Sequence, residues 1–174
     1  LLALVAYLLG GSPTARAGDE RTVTATGEAV GEAPPIACVV IDAGHGGEDG
    51  GASSTAGVLE KDLNLSVAFA LRDLFEAAGV PVVMTRTEDK LLYDRNVNYQ
   101  GRKKVLDLAA RRLVAEKTAA EYGGDCLFIS IHMNAFPQTQ YRGLQVWYSP
   151  NHEGSLPLAQ AMQGMVRTYL QPQN

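Results

Sequence analysis

The chain has 174 residues, of which 46% are hydrophobic and 20% are charged, and its formal net charge is −4. This length can bury one sizeable core, and the composition is ordinary for a globular protein. The acidic balance gives no support to nucleic-acid binding, which generally requires a basic surface. Cys38 and Cys126 each lie inside an apolar run, which predicts two buried thiols rather than a disulfide or a metal site.

The N-terminal segment is apolar over residues 1–9 and then contains the small-x-small sequence Ala15-Arg16-Ala17. The apolar run is too short to span a bilayer but has the length of a signal-peptide core. We therefore expect residues 1–17 to be part of a signal peptide or a membrane anchor, with a core helix as the alternative. Residues 18–35 are polar and show no apolar period, so a flexible linker is predicted before a folded domain at residues 36–174.

The folded domain opens on a continuous apolar run at residues 36–41, which is typical of a strand buried on both faces of a parallel sheet. Further strands are predicted at 80–85, 126–131 and 144–148, and helices at 63–78, 105–122 and 155–169. The apolar stripes that define the first two helices are Leu63, Val67, Leu71, Leu74 and Ala78, and Leu106, Ala110, Leu113 and Val114. This order indicates an α/β fold with three layers, in which helices flank a mostly parallel or mixed sheet.

Three residues with metal-binding side chains are predicted to share one edge of this sheet. The first strand runs into a glycine-rich loop that can turn sharply and present His45. His132 follows the third strand, and Glu60 immediately precedes the first helix. Open α/β sheets place their chemistry at the carboxyl ends of the strands.

Two histidines and one glutamate at a shared edge match a His₂Glu zinc site with water in the fourth position. Each residue also has a simpler interpretation: His45 as a loop histidine, His132 as a core-edge histidine, and Glu60 as an acid favoured by the helix dipole. The separations along the chain are long and irregular, so spacing alone is weak evidence. Their common edge favours the metal site for the three residues together.

Dinucleotide binding is an alternative for the glycine loop, because a strand followed by Gly-x-Gly and a helix is also the pattern of that site. In dinucleotide-binding folds the helix begins at the glycines and directs its N-terminus at the pyrophosphate. Here the predicted helix begins well beyond the loop, and no acid follows the second strand at the required place. Dinucleotide binding is therefore disfavoured.

Four short motifs resemble those of the zinc-dependent N-acetylmuramoyl-L-alanine amidases. They are Asp42-Ala43-Gly44-His45-Gly46-Gly47, Glu60-Lys61-Asp62, Thr85-Arg86 and Ser130-Ile131-His132-Met133-Asn134-Ala135. The similarity runs from about residue 36 to the end, and segments at 67–69, 84–86 and 99–104 resemble the CwlD-type amidases of spore-forming bacteria. By this resemblance His45, Glu60 and His132 are the Zn²⁺ ligands. Ala43 stands where the family usually has proline.

The resemblance implies hydrolysis of the amide bond between N-acetylmuramic acid and L-alanine in peptidoglycan, in spore-cortex maturation, by an exported protein. An activating lipoprotein is a candidate partner, and only the N-terminal segment would meet the membrane. Family members carry a further strand ending in Glu-x-Gly-Phe, whose glutamate is the general base. Nothing up to Asn174 matches it. We therefore expect an incomplete catalytic domain that lacks its last strand and helix and is inactive alone.

A non-catalytic cell-wall-binding or regulatory relative is the alternative to an enzyme, and a zinc hydrolase of another amide is a third hypothesis. Asp42 and Asn134 flank the ligands and are candidates for orienting a histidine, with turn capping as the simpler interpretation. Candidates for contact with acidic groups of the substrate are Arg86, Arg95, Arg102, Lys103 and Lys104, although a solvated basic face is favoured. Trp147 is interpreted as a core residue rather than a sugar-stacking platform.

Overall fold

The computed structural model describes residues 2–9, 36–94, 96, 100–123, 125–135 and 143–170, with side chains from residue 36 onward. The strands are β1 (Leu2–Leu9), β2 (Cys38–Ala43), β3 (Val82–Met84), β4 (Cys126–Met133) and β5 (Leu144–Tyr148). The helices are α1 (Glu60–Ala77), α2 (Lys103–Tyr122) and α3 (Ser155–Met165), and a π-helical turn at Val166–Leu170 continues α3. The linker predicted at residues 18–35 lies outside the described residues.

The five strands form one mixed sheet in the order β3-β2-β4-β1-β5. β2 is parallel to both β3 and β4, whereas β1 is antiparallel to β4 and parallel to β5. The β2–β4 register aligns Cys38 with Cys126 and Ala43 with Ile131. The carboxyl ends of β2 and β4 therefore lie side by side at one edge of the sheet.

Helices cover both faces of the sheet because β2 and β4 are apolar on both sides. Val39 and Ile41 are fully buried on the face that packs against α1 and α3. Val40 is fully buried on the opposite face, against α2. Successive side chains of a strand point to opposite faces, so a continuous apolar run requires two helical layers. The predicted three-layer α/β fold is confirmed.

The buried faces of the two longer helices differ from the predicted apolar stripes. Leu63 and Leu74 of α1 are 43% and 69% exposed, and Leu113 of α2 is 47% exposed. The buried positions are instead Glu60, Asn64 and Ala68 in α1, and Asp107, Arg111, Ala115 and Thr118 in α2. These two stripes are correct only in part, because both helices turn polar side chains toward the edge of the sheet that carries the histidines.

Cys38 and Cys126 form a disulfide, so the prediction of two free thiols is wrong. The residues are paired in the β2–β4 ladder, their Cα atoms are 4.8 Å apart, and both side chains are fully buried on the α2 face. Each apolar run predicts only burial. The register between the strands determines that the two sulfur atoms meet.

Reduction of this disulfide is expected to lower the free energy of unfolding by about 2–4 kcal/mol, because the bond constrains the unfolded chain. It joins residues separated by 88 positions. Urea unfolding with and without reductant measures the difference. The Cys38→Ala/Cys126→Ala variant is the control, since its unfolding midpoint should not respond to reductant. An equal response of both proteins would contradict the prediction.

The N-terminal apolar segment is a strand, and the core-helix alternative for it is wrong. Its backbone pairs from Leu2↔Met133 to Leu9↔Cys126 with β4. None of the helices in the described part of the chain is long and apolar enough to cross a membrane. A partial signal peptide or membrane anchor at residues 1–17 stays a prediction.

Candidate metal centre

The glycine loop after β2 turns sharply through left-handed backbone conformations. His45 has a φ of +62°, and Gly46 and Gly47 follow with +141° and +56°. A left-handed conformation is uncommon for a residue with a side chain and persists where the surroundings fix it. The presentation of His45 by this turn, expected from the glycines, is therefore observed, and its backbone requires support.

Two buried arginines provide that support by donating hydrogen bonds to carbonyl groups of the loop. Arg111 donates from Nη2 to the carbonyl of His45 at 2.7 Å and from Nη1 to that of Ala43 at 2.8 Å. Arg86 donates from Nε to the Ala43 carbonyl at 2.8 Å and from Nη2 to that of Gly44 at 3.0 Å. Hydrogen bonds from charged donors stabilise by about 1.5–3 kcal/mol each, enough to offset the strain at His45.

The structure brings the side chains of His45, Glu60 and His132 together. Nε2 of His45 lies 3.1 Å and Nδ1 of His132 lies 3.0 Å from Oε1 of Glu60. The two imidazole rings meet edge to face, with centroids 4.9 Å apart. β4 extends to Met133, so His132 is the penultimate residue of the strand, and Glu60 is the first residue of α1. The shared edge predicted from the sequence thus carries all three side chains.

The carboxylate of Glu60 is held by backbone N–H groups. Oε2 accepts a hydrogen bond from the N–H of Ala52 at 2.8 Å, and Oε1 accepts one from the N–H of Met133 at 2.9 Å. Burial raises the pKa of Glu60, but these two hydrogen bonds and the neighbouring His45 outweigh it, so the pKa lies below its usual value. Glu60 is therefore an anionic, oriented carboxylate at neutral pH.

Asp49, which the sequence interpretation missed, lies behind His45. Its Oδ2 is 2.9 Å from Nδ1 of His45. Burial raises the pKa of Asp49, whereas His45, the N–H of Gly51 and the charge of Lys104 lower it, and the net value is below the usual one. A carboxylate on the far ring nitrogen leaves Nε2 facing Glu60, as is common for metal-ligating histidines.

Asn64 is a second missed residue, and it links the glycine loop to Glu60. Its side chain is fully buried, and Nδ2 donates to the carbonyl of Gly44 at 3.1 Å and to Oε1 of Glu60 at 3.4 Å. Spacing could have indicated Asn64, because it follows Glu60 by four positions in α1, the spacing of neighbours on one helix face. No such signal was available for Asp49, because His45 and Asp49 lie in the loop.

Glycines allow the loop to pack directly on the three side chains. A Cβ at Gly44 would overlap the ring of His132. A Cβ at Gly51 would lie 2.6 Å from Oε2 of Glu60 and 2.8 Å from Cδ2 of His45. These positions therefore need glycine because of close approach, and the second also because of its φ of +66°.

The donor set fits a tetrahedral divalent metal ion. Bond lengths of about 2.0–2.1 Å place ligand atoms roughly 3.3 Å apart around zinc. The two histidine nitrogens lie 3.0 and 3.1 Å from the Glu60 oxygen, and one ligand atom from each residue lies within 4.8 Å of the others. A cavity of about 80 Å³ reaches both histidines, which leaves access for water or substrate. The three side chains therefore have the composition and spacing to hold a metal ion.

Comparison with known proteins places these residues in a family. The sequence model of the N-acetylmuramoyl-L-alanine amidase family matches residues 39–174. The chain belongs to this family. The matched region contains all three clustered residues, all of β2 but its first residue, and every later element to α3.

Several amidases are similar to the chain. It is 36% identical over 133 residues to the germination-specific N-acetylmuramoyl-L-alanine amidase of Bacillus subtilis, which covers 76% of this chain and 54% of that protein. Identity to the amidase AmiA of Escherichia coli is 30% over 161 residues, covering 90% and 48%. The chain thus spans about half the length of these two relatives.

Solved amidase structures share the fold. The CwlD amidase of Clostridioides difficile, in complex with the GerS lipoprotein, aligns with a TM-score of 0.67 and 31% identity over 79% of this chain and 68% of that one. The amidase AmiC2 of Nostoc punctiforme aligns with a TM-score of 0.50 and 30% identity over 76% and 62%. The resemblance to this family that the motifs indicate is confirmed, including its CwlD-type relatives.

Asp42 of this amidase-family chain lines the smaller cavity together with His45 and His132. Its carboxylate accepts hydrogen bonds from the hydroxyl groups of Thr85 and Ser130, both at 2.7 Å, and from Nη1 of Arg111 at 2.6 Å. It therefore ties together the ends of three strands and α2. Arg111, which donates to Asp42, also donates to the carbonyl of His45, and a role for Asp42 in orienting a histidine stays a prediction.

The remaining sequence-predicted residues take different positions. Arg86 is 2% exposed, so the prediction that it belongs to a solvated basic face is wrong. Trp147 is 56% exposed on β5, an outer strand of the described sheet, so its interpretation as a core residue is also wrong. Asn134 is half-buried two residues after His132, and its contribution to the site stays a prediction.

Proposed function

We propose that this chain carries the metal centre of a zinc-dependent peptidoglycan amidase, which cleaves the amide bond between N-acetylmuramic acid and L-alanine. The observation that carries the proposal is the convergence of His45 and His132 on one carboxylate oxygen of Glu60 in a chain of the amidase family. Hard and borderline ligands in a His₂Glu set favour zinc among the common biological metals.

The side chains have separate roles in this proposal. His45, Glu60 and His132 hold the metal, Asp49 orients the ring of His45, and the N–H groups of Ala52 and Met133 orient Glu60. Zinc, when bound, polarises the scissile carbonyl and lowers the pKa of its water to about 7. A general-base glutamate beyond Asn174, and the inactivity of these 174 residues without it, stay predictions.

The proposal includes an extracytoplasmic location and a role in the spore cortex, and two observations favour them. The buried disulfide between Cys38 and Cys126 suits an oxidising, extracytoplasmic compartment. The similarity to a germination-specific amidase and to CwlD, solved with a lipoprotein, favours a role on spore-cortex peptidoglycan with an activating lipoprotein. Export through the N-terminal apolar segment, with no other membrane contact, completes this proposal.

Digestion of purified peptidoglycan by the whole protein tests the function. Amidase activity releases new N-terminal L-alanine amines and leaves the glycan strands intact, and both products are measured by chemical labelling and mass spectrometry. Zinc removal by a chelator should abolish the release, and zinc addition should restore it. Zinc-loaded protein that binds peptidoglycan without releasing L-alanine would overturn the proposal and favour a non-catalytic cell-wall-binding relative.

A further inference from the structure

A groove of about 510 Å³ adjoins the candidate metal centre. Its lining residues are Glu48, Asp49, Leu91, Lys103, Lys104 and Asp107. Asp49, Lys104 and Asp107 also line the smaller cavity that reaches His45 and His132. The groove is therefore continuous with the site of chemistry, and its volume is in the range of small-ligand sites.

All but one of the charged residues that line this groove form an ion pair or a hydrogen bond. Lys103 pairs with Glu48, and the carboxylate of Asp107 accepts hydrogen bonds from Arg111 and from the N–H of Leu92. Asp49 faces His45. Within the described ranges, Lys104 is the one lining charge that forms neither a hydrogen bond nor an ion pair; its charge acts on Asp49 at longer range, and its side chain is exposed.

The position of Lys104 on α2 directs it to the same edge as the metal centre. Lys104, Asp107, Leu108 and Arg111 recur at three- and four-residue steps and all line the smaller cavity. Arg111 ends this stripe at the carbonyl of His45. An ammonium group at the other end of the stripe is a mobile point charge, suited to one carboxylate of a bound molecule.

We propose that Lys104 is a specificity residue that binds a carboxylate of the peptide portion of the substrate while the scissile amide lies at His45 and His132. The proposal rests on the proposed amidase function and adds a substrate class: muramoyl peptides with a free carboxylate close to the L-alanine, in preference to forms in which that carboxylate is amidated. A neutral carboxamide loses the ionic attraction but keeps the same shape.

Binding of paired ligands tests this assignment independently of catalysis. The probes are two soluble muramoyl peptides whose scissile amide is replaced by a non-hydrolysable link, one with the free carboxylate and one with the carboxamide, titrated calorimetrically into the zinc-loaded whole protein. We expect the free acid to bind about fivefold more tightly, the preference expected of one partly exposed ion pair. In the Lys104→Gln variant the dissociation constants of the two ligands should become nearly equal, and Lys104→Arg should restore the preference.

Lys117→Gln is the matched control, because Lys117 is an exposed lysine of α2 that does not line the groove. It should keep the wild-type preference. Equal binding of the two ligands by the wild type, binding of neither, or an unchanged preference in Lys104→Gln would each overturn the assignment. Failure of the amidase function would appear separately, as normal ligand binding without release of L-alanine.

Discussion

Alanine substitution of His45, Glu60 or His132 is expected to remove nearly all zinc from the protein. Each change deletes one of three side chains whose ligand atoms lie within 4.8 Å of one another. Loss of an outer-shell partner typically weakens metal binding by about 10–100-fold, and loss of a ligand should exceed that. Metal content after dialysis and competition with a chromophoric chelator measure the effect.

His152→Ala is the control for this experiment, since the chain has only three histidines and His152 is the one outside the cluster. Its ring accepts a hydrogen bond from the N–H of Gly154 in the turn before α3. We expect one zinc ion per chain in the wild type and in His152→Ala. A wild type without zinc, or a loss of zinc in His152→Ala as large as in the other variants, would remove the metal centre from the proposal.

The strands and the shared edge were predictable from the sequence because they depend on local patterns. The continuous apolar runs that became β2 and β4 require burial on both faces, and parallel strands place their carboxyl ends together. His45 follows β2, and His132 lies at the end of β4. The sheet topology therefore brings the two histidines close together. Glu60 could be included in the predicted metal site because the chain returns to that edge of the sheet at the start of α1.

The buried charges were not predictable in the same way. Arg86 and Arg111 resemble surface residues in a periodicity analysis, since an unpaired charge would not be buried. Their partners are distant in the chain: Arg111 pairs with Asp42, 69 positions away, and Arg86 donates to the carbonyl of Ala43, 43 positions away. Only the assembled fold supplies these contacts.

The helix stripes were wrong in part for a related reason. The helices were assigned from leucines at helical spacing, yet Leu63 and Leu74 face solvent while Asn64 is fully buried. Burial of the Asn64 side chain is offset in part by the hydrogen bonds that its Nδ2 donates to the carbonyl of Gly44 and to Oε1 of Glu60. At the edge of the sheet that carries the histidines, the helices therefore bury polar residues where an amphipathic pattern would bury leucines. These buried polar residues lie next to the candidate metal centre.

Gly51→Ala is expected to weaken zinc binding by about 10–100-fold, the range seen when the support of a ligand is disturbed. A Cβ at this position would lie 2.6 Å from Oε2 of Glu60 and 2.8 Å from Cδ2 of His45, so two of the three ligands must shift. The φ of +66° adds backbone strain of about 1 kcal/mol for a residue with a side chain.

Gly57→Ala separates the strain from the clash. Gly57 has a φ of +80°, but a Cβ there would meet no atom within 4 Å. Both variants should lose stability from the strained backbone, Gly51→Ala more than Gly57→Ala because of its clashes, and only Gly51→Ala should lose zinc affinity. Urea unfolding of the metal-free proteins and chelator competition measure the two quantities. If Gly57→Ala weakened zinc binding as much as Gly51→Ala, general loosening of the loop would explain the loss, and close packing of Gly51 on Glu60 and His45 would have no specific role in holding the ligands.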